Sequence, residues 1–271
     1  MTKIDIWNTV LHRRRVLEYF VFLNISFLAI DIYFAHSINA FAHWAEWIPF
    51  YFSVVAPFIL LIGWRGALAG YIVGYSSIAV GILGFLFHLE SQFFALYSIK
   101  SLVYTAPFVA PLAYAGIGFL LVMNRMVSFD SPEWSRWVLF LAIGGIFGNF
   151  VLALCDHAQN GFYSAWEWTP VYISALAVGF LFMAMNKSPT HAFLRICCGV
   201  LAMSVAIGVI GFGLHFEANW HASSTMRDNF LYGAPILTPL LLPNLALLAG
   251  IGLWDLFAKS TSLGDAVSVV T

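Results

Sequence analysis

Charge is what this chain has least of. Charged residues are 9% of its 271 positions and hydrophobic residues 61%, with a mean hydropathy of +0.87. A soluble domain covers its core with about a quarter charged residues, so this composition excludes one and predicts a surface that faces lipid. The three cysteines, Cys155, Cys197 and Cys198, all fall inside apolar runs. That placement argues against a disulfide framework and reads as small buried hydrophobes. A formal net charge of -1 offers no basic surface for nucleic acid. HExxH, CxxC, CxxCH, GxSxG and Walker patterns are all missing, which leaves zinc-protease, thiol-redox, c-type haem, serine-hydrolase and nucleotide readings without support. No motif fixes a reaction.

Long apolar runs are what the chain does have. Eight segments are long enough to span about 30 Å of hydrocarbon, for which roughly 20 helical residues are needed: 16–38, 47–63, 67–92, 103–124, 135–158, 168–186, 191–218 and 233–257. His12, Arg13, Arg14 and Arg15 before the first run resemble a signal peptide, but the run continues through 35 without a small-residue cleavage site and reads as a retained helix. Pro49 and Pro170 open the two short segments, in the first turn where a missing N–H costs nothing. The polar tail, 258–271, is predicted to be loose.

Lys3, Arg13, Arg14, Arg15, Arg65, Arg125, Arg136, Lys187, Arg195 and Lys259 all fall on one side of these segments; only Lys100 and Arg227 fall opposite. This bias places both termini in the cytoplasm of a multi-pass protein of the cell (inner) membrane. The outer side is acidic and holds His36, His43, His88, His157, His215 and His221. Trp44, Trp47, Trp166, Trp168 and Trp220 mark its interfacial belt.

The two halves of the chain repeat one another. Glu46-Trp47-Ile48-Pro49 matches Glu167-Trp168-Thr169-Pro170, and Tyr104-Thr105-Ala106-Pro107 matches Tyr232-Gly233-Ala234-Pro235, each at a similar distance from a histidine. The expected fold is an all-α integral membrane protein of eight transmembrane helices. Residues 1–130 and 131–271 form two parallel four-helix repeats related by a pseudo-twofold along the membrane normal. Small residues, Gly70 with Gly74, Gly144 with Gly148, and Gly208, Gly211 and Gly213, are expected at helix contacts.

Two short stretches are more alike than the rest: Phe-Leu-Phe-His-Leu-Glu, ending at His88 and Glu90, and Phe-Gly-Leu-His-Phe-Glu, ending at His215 and Glu217. Each odd-numbered segment ends outside in a histidine with an amide three or four residues on: His36 with Asn39, His88 with Gln92, His157 with Asn160 and His215 with Asn219. Such a pair shares a helix face, so the amide is expected to hold one ring nitrogen and free the other for a metal. His88 and Glu90 point about 200° apart on a helix, as do His215 and Glu217, whereas Glu217 and His221 share a face. Asp156 and the deeper Asp31 add oxygen donors. Glu46 and Glu167, just before helix-opening prolines, read as helix-dipole partners. Lys100 and Arg227 read as partners of these acids, or as contacts to an anionic substrate or headgroup.

The candidate metal ligands are therefore His36, His88, His157, His215, Glu90, Glu217, Asp156 and His221. Asn39, Gln92, Asn160, Asn219 and Asp31 stand behind them. Such a set suits zinc, iron, manganese or copper, or supplies axial histidines to haem. The pseudo-twofold is expected to bring His88 to His215 and His36 to His157. The leading function is a membrane metalloenzyme or redox subunit. Two others compete: a cation transporter or channel, with helices interrupted by Pro57, Pro111 and Pro239, and a structural subunit partnered by other membrane subunits.

Overall fold

The computed structural model describes residues 13–63, 66–186 and 189–268, and for 13, 92, 186 and 260–268 the backbone only. Lys3, Arg65 and Lys187, on which part of the charge bias rests, lie outside the described residues. Among those described, regular structure is helical throughout. The helices are α1 (Arg13–Ser37), α2 (Trp47–Ile62), α3 (Ala67–Leu96), the short α4 (Ile99–Val103), α5 (Leu112–Met126), α6 (Pro132–Gln159), α7 (Thr169–Asn186), α8 (His191–Trp220), the short α9 (Met226–Tyr232) and α10 (Leu241–Ser268). Single 3₁₀ turns, Trp44–Glu46, Ala165–Trp168 and Thr238–Leu240, lead into α2, α7 and α10.

Seven of the described helices are long and apolar enough to cross a bilayer. The chain is a helical, multi-pass membrane protein. The fourth expected span differs from expectation: residues 103–124 do not form one helix. The chain breaks after α4, runs irregularly through Pro107, and resumes at Leu112 with a helix of 15 residues, about 22 Å at 1.5 Å per residue. Pro111 sits at the N-cap of α5, where its fixed φ begins a helix. The last span is broken in the same place, with Pro239 inside the 3₁₀ turn. Pro57, by contrast, lies within an uninterrupted α2. The tail expected to be loose continues α10 to Ser268.

Helices α1, α5, α6 and α10 pack around the centre; α2 and α3 flank one side and α7 and α8 the other. Their shared core includes Leu17, Ile25, Leu121, Trp134, Leu139 and Leu253. Lipid supplies no hydrophobic drive between helices, so close fit and polar pairing must. Two glycines on α3 provide the fit: a Cβ at Gly81 would stand 2.5 Å from the Ala115 nitrogen, and one at Gly84 2.8 Å from the Pro111 Cβ. Gly208 and Gly211 on α8 meet Pro239 and Pro243 in the same way. Gly70 instead faces the Arg125 guanidinium, while Gly144 and Gly213 meet no neighbour within 4 Å.

Polar pairing closes the end opposite the histidines. Asn124 is buried; its side chain donates to Glu18 (2.9 Å) and accepts from the Trp134 indole (2.9 Å), while its carbonyl accepts from Arg14 (2.9 Å). Arg125 pairs with Glu18 at 3.4 Å, and Lys259 with Asp255 at 2.6 Å. Between the halves, the amides of Asn24 on α1 and Asn244 on α10 bond each other reciprocally.

Candidate functional site: two histidine pairs

His36, His88, His157 and His215 stand near the C-terminal ends of α1, α3, α6 and α8, at one rim of the bundle. After α1 the chain reverses through two left-handed residues, Ala40 (φ 57°) and Phe41 (φ 52°); after α6 it does so through Gly161 (φ 75°) and Phe162 (φ 53°). A side-chain-bearing residue in that region costs about 1–3 kcal/mol unless its surroundings hold it. Here a ring stack holds it: Phe41 lies on Trp47 at 4.1 Å between centroids, and Phe162 on Trp168 at 3.9 Å. The reversal swings the next acid back over the histidine.

The acids that face the histidines are Glu46 and Glu167, not the neighbours the sequence favours. Glu46 Oε2 lies 3.7 Å from His36 Nδ1, and Glu167 Oε2 lies 3.4 Å from His157 Nδ1. Neither Oε2 has a hydrogen-bond partner among the described residues, and both are shielded from solvent. Glu46 stands at the N-cap of α2, where the helix-dipole reading places it, but its side chain makes no capping hydrogen bond. Glu46 is also close enough to act electrostatically on His88.

The second histidine of each pair is held differently. His88 Nδ1 lies 3.0 Å from the carbonyl oxygen of Pro107, and His215 Nδ1 lies 2.9 Å from that of Pro235. A carbonyl only accepts, so Nδ1 carries the proton in both rings and Nε2 keeps its lone pair. The prolines belong to the irregular stretches that interrupt the fourth and last expected spans.

The histidines meet within each half. The His36 and His88 rings are 6.3 Å apart with planes at 82°, and the His157 and His215 rings 6.4 Å apart with planes at 79°. Among the described residues no ring contact joins His88 to His215 or His36 to His157, the pairing expected across the pseudo-twofold. Helix packing agrees: α3 packs on α2 and α5, which also pack on α1, while α8 packs on α7 and α10, which also pack on α6.

The amides do not hold the histidine rings. Asn39 donates to Glu46 Oε1 at 2.8 Å. Asn160 accepts from the Phe162 N–H at 3.0 Å. Asn219 clamps Ala234, donating to its carbonyl and accepting from its N–H, both at 2.8 Å. The Gln92 side chain lies outside the described residues. In three of four cases, then, the amide braces the loop or acid around a histidine, because a nearer carbonyl or carboxylate has already taken Nδ1.

The remaining candidates stand apart from the pairs. Glu90, Glu217 and His221 are exposed; α3 stays helical through Leu96, so Glu90 points away from His88. Glu217 and His221 meet through the backbone, the His221 N–H capping α8 on the Glu217 carbonyl at 3.1 Å. Asp156 lines a small cavity with Cys155, Gln159, Thr105 and Pro107. Asp31 is half-buried near Tyr114. Among the described residues neither Lys100 nor Arg227 forms an ion pair; Lys100 lies 5.9 Å over the Tyr104 ring. His43 caps the 3₁₀ turn before α2, accepting from the Ala45 N–H.

Sequence reasoning missed Glu46, Glu167, Pro107 and Pro235 as site residues. The signal was present: an acid ten residues after a histidine occurs in both halves. No protein family, curated protein or solved structure matches the chain.

Proposed function

We propose that this chain is an eight-span protein of the cell membrane that carries two metal centres at its extracytoplasmic rim, one per half, in the service of redox or catalytic chemistry. Residues 1–130 and 131–271 are its two parallel four-helix repeats, both termini lie in the cytoplasm, and the paired histidines His36 with His88 and His157 with His215 are the ligands.

One observation carries this reading: the same four-part arrangement occurs twice, each time with a carboxylate behind one imidazole and a prolyl carbonyl behind the other. Carboxylates and carbonyls behind metal-binding histidines fix the tautomer and make the ligand more basic. Two protein nitrogens leave coordination positions open for a substrate or an exchangeable ligand. The metal is a transition ion or a haem iron, both of which take imidazole.

Elemental analysis and a visible spectrum of the detergent-purified protein test it. The expected result is stoichiometric metal that is absent from the His88→Ala, His215→Ala double variant. A metal-free protein that takes up no added metal or haem overturns the reading.

A further inference from the structure

We infer that each histidine pair binds one copper(I) ion in two-coordinate fashion, between the Nε2 atoms of its two imidazoles; this rests on the metal-centre reading above and names the metal.

The argument begins with how many donors remain. In His88 and His215 the Nδ1 proton is given to a prolyl carbonyl. In His36 and His157 Nδ1 faces a carboxylate, which only accepts. Each pair thus offers two neutral Nε2 lone pairs. Glu46 Oε1 is taken by the Asn39 amide, and the Oε2 atoms of Glu46 and Glu167 lie beside Nδ1 of their rings, at 3.7 and 3.4 Å, rather than beside Nε2. Among the described residues, His, Cys, Asp and Glu side chains form no group of three or more placed to hold an ion.

Ring spacing then selects an angle. Two imidazoles on opposite sides of an ion, each with a bond of about 2.0 Å, have centroids about 6 Å apart, against roughly 5 Å at a tetrahedral angle. With Nε2 turned toward Nε2, the spacings of the two pairs, 6.3 and 6.4 Å, fit the opposed arrangement and exceed the tetrahedral one. Zinc prefers four tetrahedral ligands, and manganese prefers oxygen. Copper(I), with a filled d shell, is content with two opposed nitrogens. A haem iron also takes opposed imidazoles, but the packing favours a bare ion. Gly84 and Gly211, one turn inside His88 and His215, press against Pro111 and Pro239. Beneath the first pair the Tyr114 side chain crosses from α5 to bond Ser53 and the Pro49 carbonyl on α2. A macrocycle would have to displace these contacts.

The full-length protein, stripped with chelator, would be titrated without oxygen with copper(I) in competition with a chromophoric copper(I) chelator, and separately dialysed against zinc(II) or iron(II). Two copper(I) ions per chain are expected, with an X-ray absorption edge characteristic of two nitrogen ligands, and zinc and iron should be lost on dialysis. His88→Ala, with His88→Gln as a second variant should the first not fold, should halve the copper bound; Glu90→Ala should leave it at two. Retention of zinc or iron in place of copper, or a haem Soret band, overturns the copper assignment while the metal-centre reading stands. Retention of no metal or haem overturns both.

Discussion

Gly84 of α3 and Pro111 at the mouth of α5 approach so closely that a β-carbon on the glycine would stand 2.8 Å from the proline Cβ. One turn farther along α3, His88 reaches the carbonyl of Pro107. Close packing and ring orientation are therefore one feature, since the same proline-containing stretch supplies both.

Replacing the neighbouring glycines should expose this dependence. At Gly81 an added methyl meets the Ala115 backbone nitrogen at 2.5 Å, and at Gly208 it meets the Pro243 Cδ at 2.4 Å and the Pro239 oxygen at 2.7 Å. Backbone atoms and a proline ring cannot swing aside, so Gly81→Ala and Gly208→Ala should each destabilise by roughly 1–3 kcal/mol. Gly179→Ala, with no neighbour within 4 Å, should be neutral or gain up to about 1 kcal/mol from helix propensity. Thermal unfolding in detergent, followed by helix signal, measures all three.

The opposite rim makes a separate prediction. Asn124→Ala deprives the buried Trp134 indole N–H of its acceptor and removes a donor from Glu18. An unsatisfied buried polar group costs about 1–3 kcal/mol. The loss should appear in thermal unfolding and leave metal content unchanged, because the cluster lies at the far end of the helices.

Asymmetry between the halves gives a third. Asn219 clamps Ala234, the residue before the prolyl carbonyl that orients His215. Asn39 instead orients Glu46. Loss of such supports typically lowers metal affinity about 10–100-fold. Asn219→Ala should therefore weaken only the second centre, and Asn39→Ala only the first. A competition titration resolves two affinities in each variant, against near-equal ones in the parent.

Much of this architecture was legible in the sequence because a bilayer imposes length and polarity together. The starts of α2, α3 and α8 follow from where apolar runs begin. The breaks before α5 and α10 were not, because the interrupting residues are themselves apolar and hydropathy does not register a lost backbone ladder. Pro107 with Pro111, and Pro235 with Pro239, were the available sign. The histidines announced themselves as polar groups at helix ends. Their partners did not: spacing along a helix points to Asn39 or Asn219, whereas the loops, folded back by left-handed turns at Phe41 and Phe162, deliver Glu46 and Glu167. Which histidines meet depends on which helices enclose a common interior, a property of tertiary packing that a repeat alone leaves open.

Native mass spectrometry of metal-loaded protein tests the central claim most directly, by counting ions in the parent, in His88→Ala, in His215→Ala and in the double variant. Two separate centres predict two ions, one, one and none. Loss of every ion in either single variant would mean one centre shared between the halves, and an unchanged count in the double variant would mean that these histidines hold no metal.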